Sequence, residues 1–442
     1  MTGSLLRPGP ERGFLALVTR FLLVLSLVVC VVVPHSFQVP TAALLVVTAL
    51  LAALGLQFTR WVSILLILYC LGTVISVLYL FIGFTNGAPN DAIIQSALVY
   101  VASPLIWIVI STSLIQRLGV KRTVNWLLVL TWAAIASIVL FFYAYFAFGR
   151  ESVRFLTEDA NINVSGGFAG ATMLVYGSMI FLAGAFFAEP AVLRWRLARF
   201  ATPAALIAAA ATSGRAAFLI AIPIGFVLGT LLRPGLHPRY VEGKTGGIPL
   251  LPAIGVLGAI TVGVVILNTV FTQLDLRFIA ELFWEKLTSG GGSERVEQAD
   301  ALWAGIEESY GLGHGHGVGV AYLRSDEFPW RYELLPLASV LRVGILGTLI
   351  YALPFLVGIF AVAQRFQARE LTRYDIYLSG GLVTATIATF TNPYLESYIF
   401  QWMFFLPLVA LGQRTVAPSG AEQVPRTGSS LDEEPLASPL KY

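Results

Sequence analysis

Charge is what this sequence has least of. Only 12% of its 442 residues are Asp, Glu, Lys or Arg, against roughly a quarter in an ordinary soluble domain, while 57% are hydrophobic. No water-soluble fold can hide that much apolar surface. Cysteine is almost missing as well: Cys30 and Cys70 both lie inside apolar segments, where they behave as small hydrophobes and carry no information on redox compartment. A dense basic patch is absent, since the net charge is +3 and is spread along the chain, so nucleic-acid partners are not expected. No cleavable leader is expected either. The apolar stretch 14–33 is longer than a signal-peptide core and has no small-residue cleavage site after it, and no small residue precedes Cys30 to suggest a lipoprotein anchor. It reads as an uncleaved first helix.

What the chain does have is a succession of apolar runs of about 20 residues, the length that crosses a hydrocarbon core. The fold class expected is an all-α membrane protein with about twelve transmembrane helices, at 14–33, 41–56, 61–83, 92–115, 123–148, 166–188, 199–212, 215–232, 248–271, 336–363, 374–390 and 396–412. The pair 199–212 and 215–232 is the weakest and also reads as one broken or re-entrant element. Alternate connections differ sharply in charge. The side that holds the N-terminus carries 18 basic residues, among them Arg60, Lys121, Arg122, Arg194, Arg233 and Arg373, whereas the short connections opposite carry Arg150, Arg154 and Arg215. The positive-inside rule then places both termini in the cytoplasm.

The domain plan is a short cytoplasmic N-terminus (1–13), nine helices (14–271), one large extracytoplasmic loop between helices nine and ten (272–335), three more helices (336–412) and a cytoplasmic tail (413–442). The tail is rich in Pro, Ser, Glu and Gly and is expected to be disordered. In the loop, Ser293 caps an expected amphipathic helix running to about Tyr310, with Val296, Ala299, Trp303, Ile306 and Tyr310 as the stripe that meets the membrane domain. Gly311, Gly313, Gly315, Gly317 and Gly319 follow as a flexible turn.

Three arginines invite a functional reading. Arg215 begins a helix next to uncharged segments, Arg295 lies in the first turn of the loop helix, and Arg342 falls within an apolar run, where it must face protein or a water-filled cavity. Interface snorkelling is the plain reading of Arg215, and a surface salt bridge with Glu294, Glu297 or Asp300 that of Arg295. The loop has eleven acids against five bases, so it offers no general funnel for anions. An anion must be held by individually placed guanidinium groups, which suit phosphate oxygens. His314 and His316, with no nearby cysteine, make a poor metal-ligand set, and no metal or other cofactor is expected.

Three short segments carry a resemblance to the O-antigen ligase and O-antigen polymerase superfamily: Thr212-Ser213-Gly214-Arg215-Ala216-Ala217, the stretch from Ser293-Glu294-Arg295 to Gly311-Leu312-Gly313-His314-Gly315, and the stretch from Glu333 to Arg342-Val343-Gly344-Ile345-Leu346-Gly347. Their order, together with the long late loop, is similar to that family's layout. Where its ligases usually have histidine and asparagine, eleven and ten residues before the first glycine of the last segment, this chain has Glu333 and Leu334. That departure favours a polymerase of lipid-linked repeat units over a ligase that transfers glycan to another lipid or protein.

The resemblance implies an inverting glycosyl transfer on the outer face of the cytoplasmic membrane, from a polyprenyl-diphosphate-linked oligosaccharide to a hydroxyl of a second lipid-linked unit. Arg215, Arg295 and Arg342 would hold the diphosphate, with Glu333 as the proton acceptor. The expected partners are the lipid-linked oligosaccharide, membrane lipid, and a flippase and chain-length regulator of the same pathway. The segment 34–40 has no acid, which fits a metal-independent mechanism. The rival class is a multi-pass transporter or lipid-linked sugar flippase, disfavoured by the missing repeat symmetry between halves.

Overall fold

The computed structural model describes residues 13–35, 37–156, 162–165, 168–171, 173–193, 195–213, 216–241, 292–323 and 328–413. The described residues are helical, with short helical turns such as Pro238–Val241, apart from loops and a two-stranded antiparallel hairpin, Ile162–Ser165 with Phe168–Ala171. The helices are α1 (Phe14–Val32), α2 (Gln38–Ala53), α3 (Arg60–Thr85), α4 (Asn90–Leu118), α5 (Val120–Phe148), α6 (Val175–Ala188), α7 (Arg196–Thr212), α8 (Ala216–Leu232), α9 (Gly292–Glu308), α10 (Leu335–Gln367), α11 (Arg373–Ala388) and α12 (Trp402–Gly412). Among the described residues, six helical runs are long and apolar enough to cross a membrane: Phe14–Val32, Arg60–Thr85, Asn90–Leu118, Val120–Phe148, Ala217–Gly235 and Leu335–Gln367. Large apolar side chains such as Phe14, Phe81, Phe146 and Phe360 stay exposed on them. An apolar outer surface of that kind is what helices in lipid present.

The centre of the bundle is α6, all of whose residues are buried. It packs against α8 and α11 through close backbone approach. A Cβ on Gly229 would lie 2.0 Å from the Ala188 carbonyl oxygen, and one on Gly225 would lie 2.3 Å from that of Gly184. Small residues let helices approach in this way where lipid supplies no hydrophobic drive for their association.

Eleven of the twelve expected apolar helices have a counterpart; the twelfth, 248–271, lies outside the described residues, as do the first part of the loop and the tail from 414. Two boundaries need correction. The helix expected from 166 starts at Val175, because Phe168–Ala171 pairs with Ile162–Ser165 as a strand. The last helix starts at Trp402 rather than 396, and the residues before it form a 3-10 turn, Tyr394–Glu396.

The loop helix α9 docks on α10 by a face that shares only part of the expected stripe. Ile306 of that stripe is buried, with Leu302, against Tyr332, Ala338 and Leu341, while Val296, Trp303 and Tyr310 point outwards. A polar contact sets the rotation: Gln298 is buried, and its side-chain oxygen accepts from the backbone N–H groups of Glu333 and Leu334 at 2.9 and 3.0 Å.

Candidate functional site

The site grows from a break in α10. Gly344 has φ 70° and ψ 178°, so the helical ladder stops there and resumes after it. An interruption at membrane depth leaves backbone groups that need partners. The glycine-rich segment supplies them. The N–H of His314 donates to the Leu341 carbonyl at 2.7 Å and that of Gly315 to the Arg342 carbonyl at 2.9 Å, while the N–H of Ile345 donates to the Gly311 carbonyl at 2.9 Å. Its outer side is tied to α3: the N–H of His316 donates to the Tyr79 carbonyl at 2.9 Å, and the Tyr79 hydroxyl to that of Leu312 at 2.6 Å. Gly315, at φ 100°, comes so near α3 that an added Cβ would lie 2.1 Å from the Gly83 nitrogen. The expected flexible turn is therefore a tightly packed plug.

The break places Arg342 inside the protein, with its side chain 4% exposed. The guanidinium is surrounded by acceptors. Nη1 pairs with Glu396 Oε1 and donates to the Tyr100 hydroxyl at 3.0 Å, and Nη2 donates to the Trp330 carbonyl at 2.8 Å. Tyr100 donates in turn to Glu396. Tyr100 stands in a π-helical turn of α4, Leu98–Ala102, a local widening of the kind that recurs at functional sites. Its ring stacks on Tyr351 at 5.5 Å and lies 4.6 Å from the His316 ring. The Tyr351 hydroxyl shares hydrogen bonds with Ser76 at 2.7 Å and with Nε2 of His316 at 3.2 Å.

An apolar cleft opens beside this cluster. About 810 Å³ of space, part of it open to the surroundings, is lined by residues of α3, α4, α10 and α12, including Leu65, Gly72, Tyr100, Ile108, Tyr351 and Phe405.

A second group lies on the loop side. Arg295 Nε of α9 donates to Glu333 Oε2 at 3.2 Å, with side chains 33% and 22% exposed, so the pair is within reach of a ligand. Arg331 takes no part in that bond; it donates to the Gln95 side chain at 3.0 Å and lies over the Phe328 ring at 4.0 Å. Trp330 donates to the same Gln95 oxygen at 2.8 Å. The short segment Trp330–Leu334 thus links the two groups, with Arg342 gripping one end and Gln298 and Arg295 the other.

Of the residues expected at the site, the structure pairs Arg295 with Glu333 directly and connects Arg342 to them through that segment. Arg215 lies outside the described residues, so its expected approach to Arg295 does too. Glu396, Tyr100 and Tyr351 are the members that spacing did not suggest. One signal was available: an arginine within an apolar run demands a carboxylate, and Glu396 sits among apolar residues near the last helix. Among the described residues no group of three or more His, Cys, Asp or Glu side chains is placed to hold a metal ion. No family model, curated protein or solved structure matches this chain.

Proposed function

We propose that this chain is a glycan polymerase of the cytoplasmic membrane. It transfers glycan from a polyprenyl diphosphate donor to the hydroxyl of a second lipid-linked repeat unit on the outer face, with both termini in the cytoplasm and twelve crossings. The observation that carries the reading is the Arg295–Glu333 pair, since two residues 38 apart, to which the resemblance gives the anion-binding and proton-accepting roles, lie 3.2 Å apart.

The pair suggests a sequence of events. Without donor, Arg295 occupies the Glu333 carboxylate. A diphosphate takes the Arg295 guanidinium, with Arg215 as its second contact, and the carboxylate is released to face the acceptor. The acceptor oxygen then attacks the anomeric carbon from the face opposite the diphosphate, its proton passes to Glu333, and the carbon–oxygen bond to the diphosphate breaks with both electrons going to the leaving group. Guanidinium contacts that strengthen as charge develops on the diphosphate lower the barrier. Arg342 has a different part in this proposal from the one its position in the sequence suggested. Two of its nitrogens already serve Glu396, Tyr100 and the Trp330 carbonyl, so it braces the segment that carries Glu333.

Deleting the chain and analysing surface polysaccharide tests the reading. A polymerase predicts single repeat units in place of long chains. Full-length chains left on the lipid carrier would instead indicate a ligase, and repeat units held on the inner leaflet a flippase. Unchanged polysaccharide would contradict any role in its assembly.

A further inference from the structure

The cleft beside Tyr100 takes no part in the diphosphate chemistry above, and its character differs from that of an anion site. Its lining comes from the middle of long apolar helices: Gly72 of α3, Ile108 of α4, Ile350 and Pro354 of α10. In a chain that spans a bilayer, those positions lie at the depth of the hydrocarbon, where the solvent that fills a cleft is alkyl chain.

The polar end of the cleft is rich in hydroxyl groups and poor in net charge. Tyr100 and Tyr351 both line it. Behind Tyr100, the positive charge of Arg342 is offset by Glu396. Behind Tyr351, His316 is fully buried, and burial, followed by the charge of Arg342, brings its pKa down to about 3, so the imidazole is neutral at physiological pH. An ionised headgroup would find no opposite charge free to receive it. The Tyr100 proton is committed to Glu396 and the Tyr351 proton to Ser76, whose own hydroxyl donates to the Gly72 carbonyl, so what both tyrosine oxygens still offer is a lone pair, which a ligand hydroxyl can meet as a donor and an ionised phosphate cannot.

We propose that this cleft binds a neutral membrane lipid, a long alkyl or isoprenoid chain ending in a hydroxyl, with the hydroxyl against Tyr100 and Tyr351 and the chain along Gly72, Ile108 and Phe405. The inference stands independently of the glycan reading.

The test uses the full-length protein in phospholipid nanodiscs with a diazirine-bearing hexadecanol as probe, crosslinked by light and mapped by peptide mass spectrometry. Label is expected within 65–72, 104–108 and 350–355. Excess hexadecanol should lower it at least about fivefold more than hexadecane or hexadecyl phosphate does, the worth of one hydrogen bond. Gly72→Leu should abolish it, because the nearest atoms to an added Cβ are those of Tyr351 at 3.8 Å and the rest of the side chain enters the cleft. Ser339→Leu, at another lining position, is the second blocking variant. Label spread over other apolar faces, a competition order led by the phosphate or the hydrocarbon, or undiminished labelling of both blocked variants would overturn the proposal. Should both variants misfold, the map and the competition order on the parental protein decide it.

Discussion

Arg342 and Glu396 hold their charges inside the protein because each is the other's counter-ion, and the Tyr100 hydroxyl and the Trp330 carbonyl complete the shell. Removing one member leaves a buried charge without a partner. Arg342→Ala or Glu396→Ala should therefore cost about 3–5 kcal/mol, read as a fall in the unfolding midpoint of the detergent-solubilised protein. The double variant Arg342→Met with Glu396→Leu should be more stable than either single loss. Gly315 gives a second test at this scale: Gly315→Ala should prevent folding or strip the loop from α3, since its Cβ would overlap the Gly83 backbone, whereas Gly87→Ala, also at positive φ but with nothing within 4 Å of its Cβ, should cost only about 1 kcal/mol. Part of this was legible from residue types alone. Arg342 stood out because a guanidinium in an apolar run must face protein. Its partner did not, because Glu396 meets it only through a 3-10 turn before α12, and nothing in local periodicity reports that turn. Arg295 and Glu333 each drew attention, yet the contact between them depends on how α9 docks.

At the scale of elements, α9 shows why periodicity placed the helix but not its rotation. The stripe read from spacing runs through Val296, Ala299, Trp303, Ile306 and Tyr310, and a neighbouring one runs through Leu302 and Ile306. Spacing counts more members in the first. The second wins because it brings Gln298 to two backbone N–H groups that would otherwise be buried unpaired. Leu302→Ala should accordingly destabilise by about 2–5 kcal/mol, while Trp303→Ser should stay within about 0.5 kcal/mol, as expected for a surface position. Denaturation of the two variants side by side distinguishes the faces; equal losses would contradict the docking described. The break in α10 was equally hidden. An apolar run containing Gly344 reads as one continuous helix, and only the facing glycine segment, more than two dozen residues earlier, makes the interruption affordable.

For the whole molecule, hydropathy located the helices well, because a run of about 20 apolar residues has few other uses. Helix order followed from it, whereas packing did not: the central place of α6 rests on glycine contacts from α8 and α11 that no single segment reveals. The orientation proposed from basic residues has its own test. In a background lacking Cys30 and Cys70, a cysteine placed near Ser325 should react with an impermeant thiol reagent added from outside, and one near Leu236 should not; the reverse pattern would invert the active face.

The central claim is that Arg295 and Glu333 together carry glycan transfer, and purified full-length protein tests it most directly. With a fluorescent polyprenyl-diphosphate repeat unit as both donor and acceptor, Glu333→Gln should lower the rate of chain extension by roughly 10² or more while donor binding changes little. Arg295→Ala should lose extension and donor binding together, and Arg295→Lys should restore little of either, because an ammonium lacks the planar fork. The partly exposed pair adds only about 1 kcal/mol or less to stability, so all three proteins should remain folded. Extension by Glu333→Gln and Arg295→Ala at close to the parental rate would contradict the account.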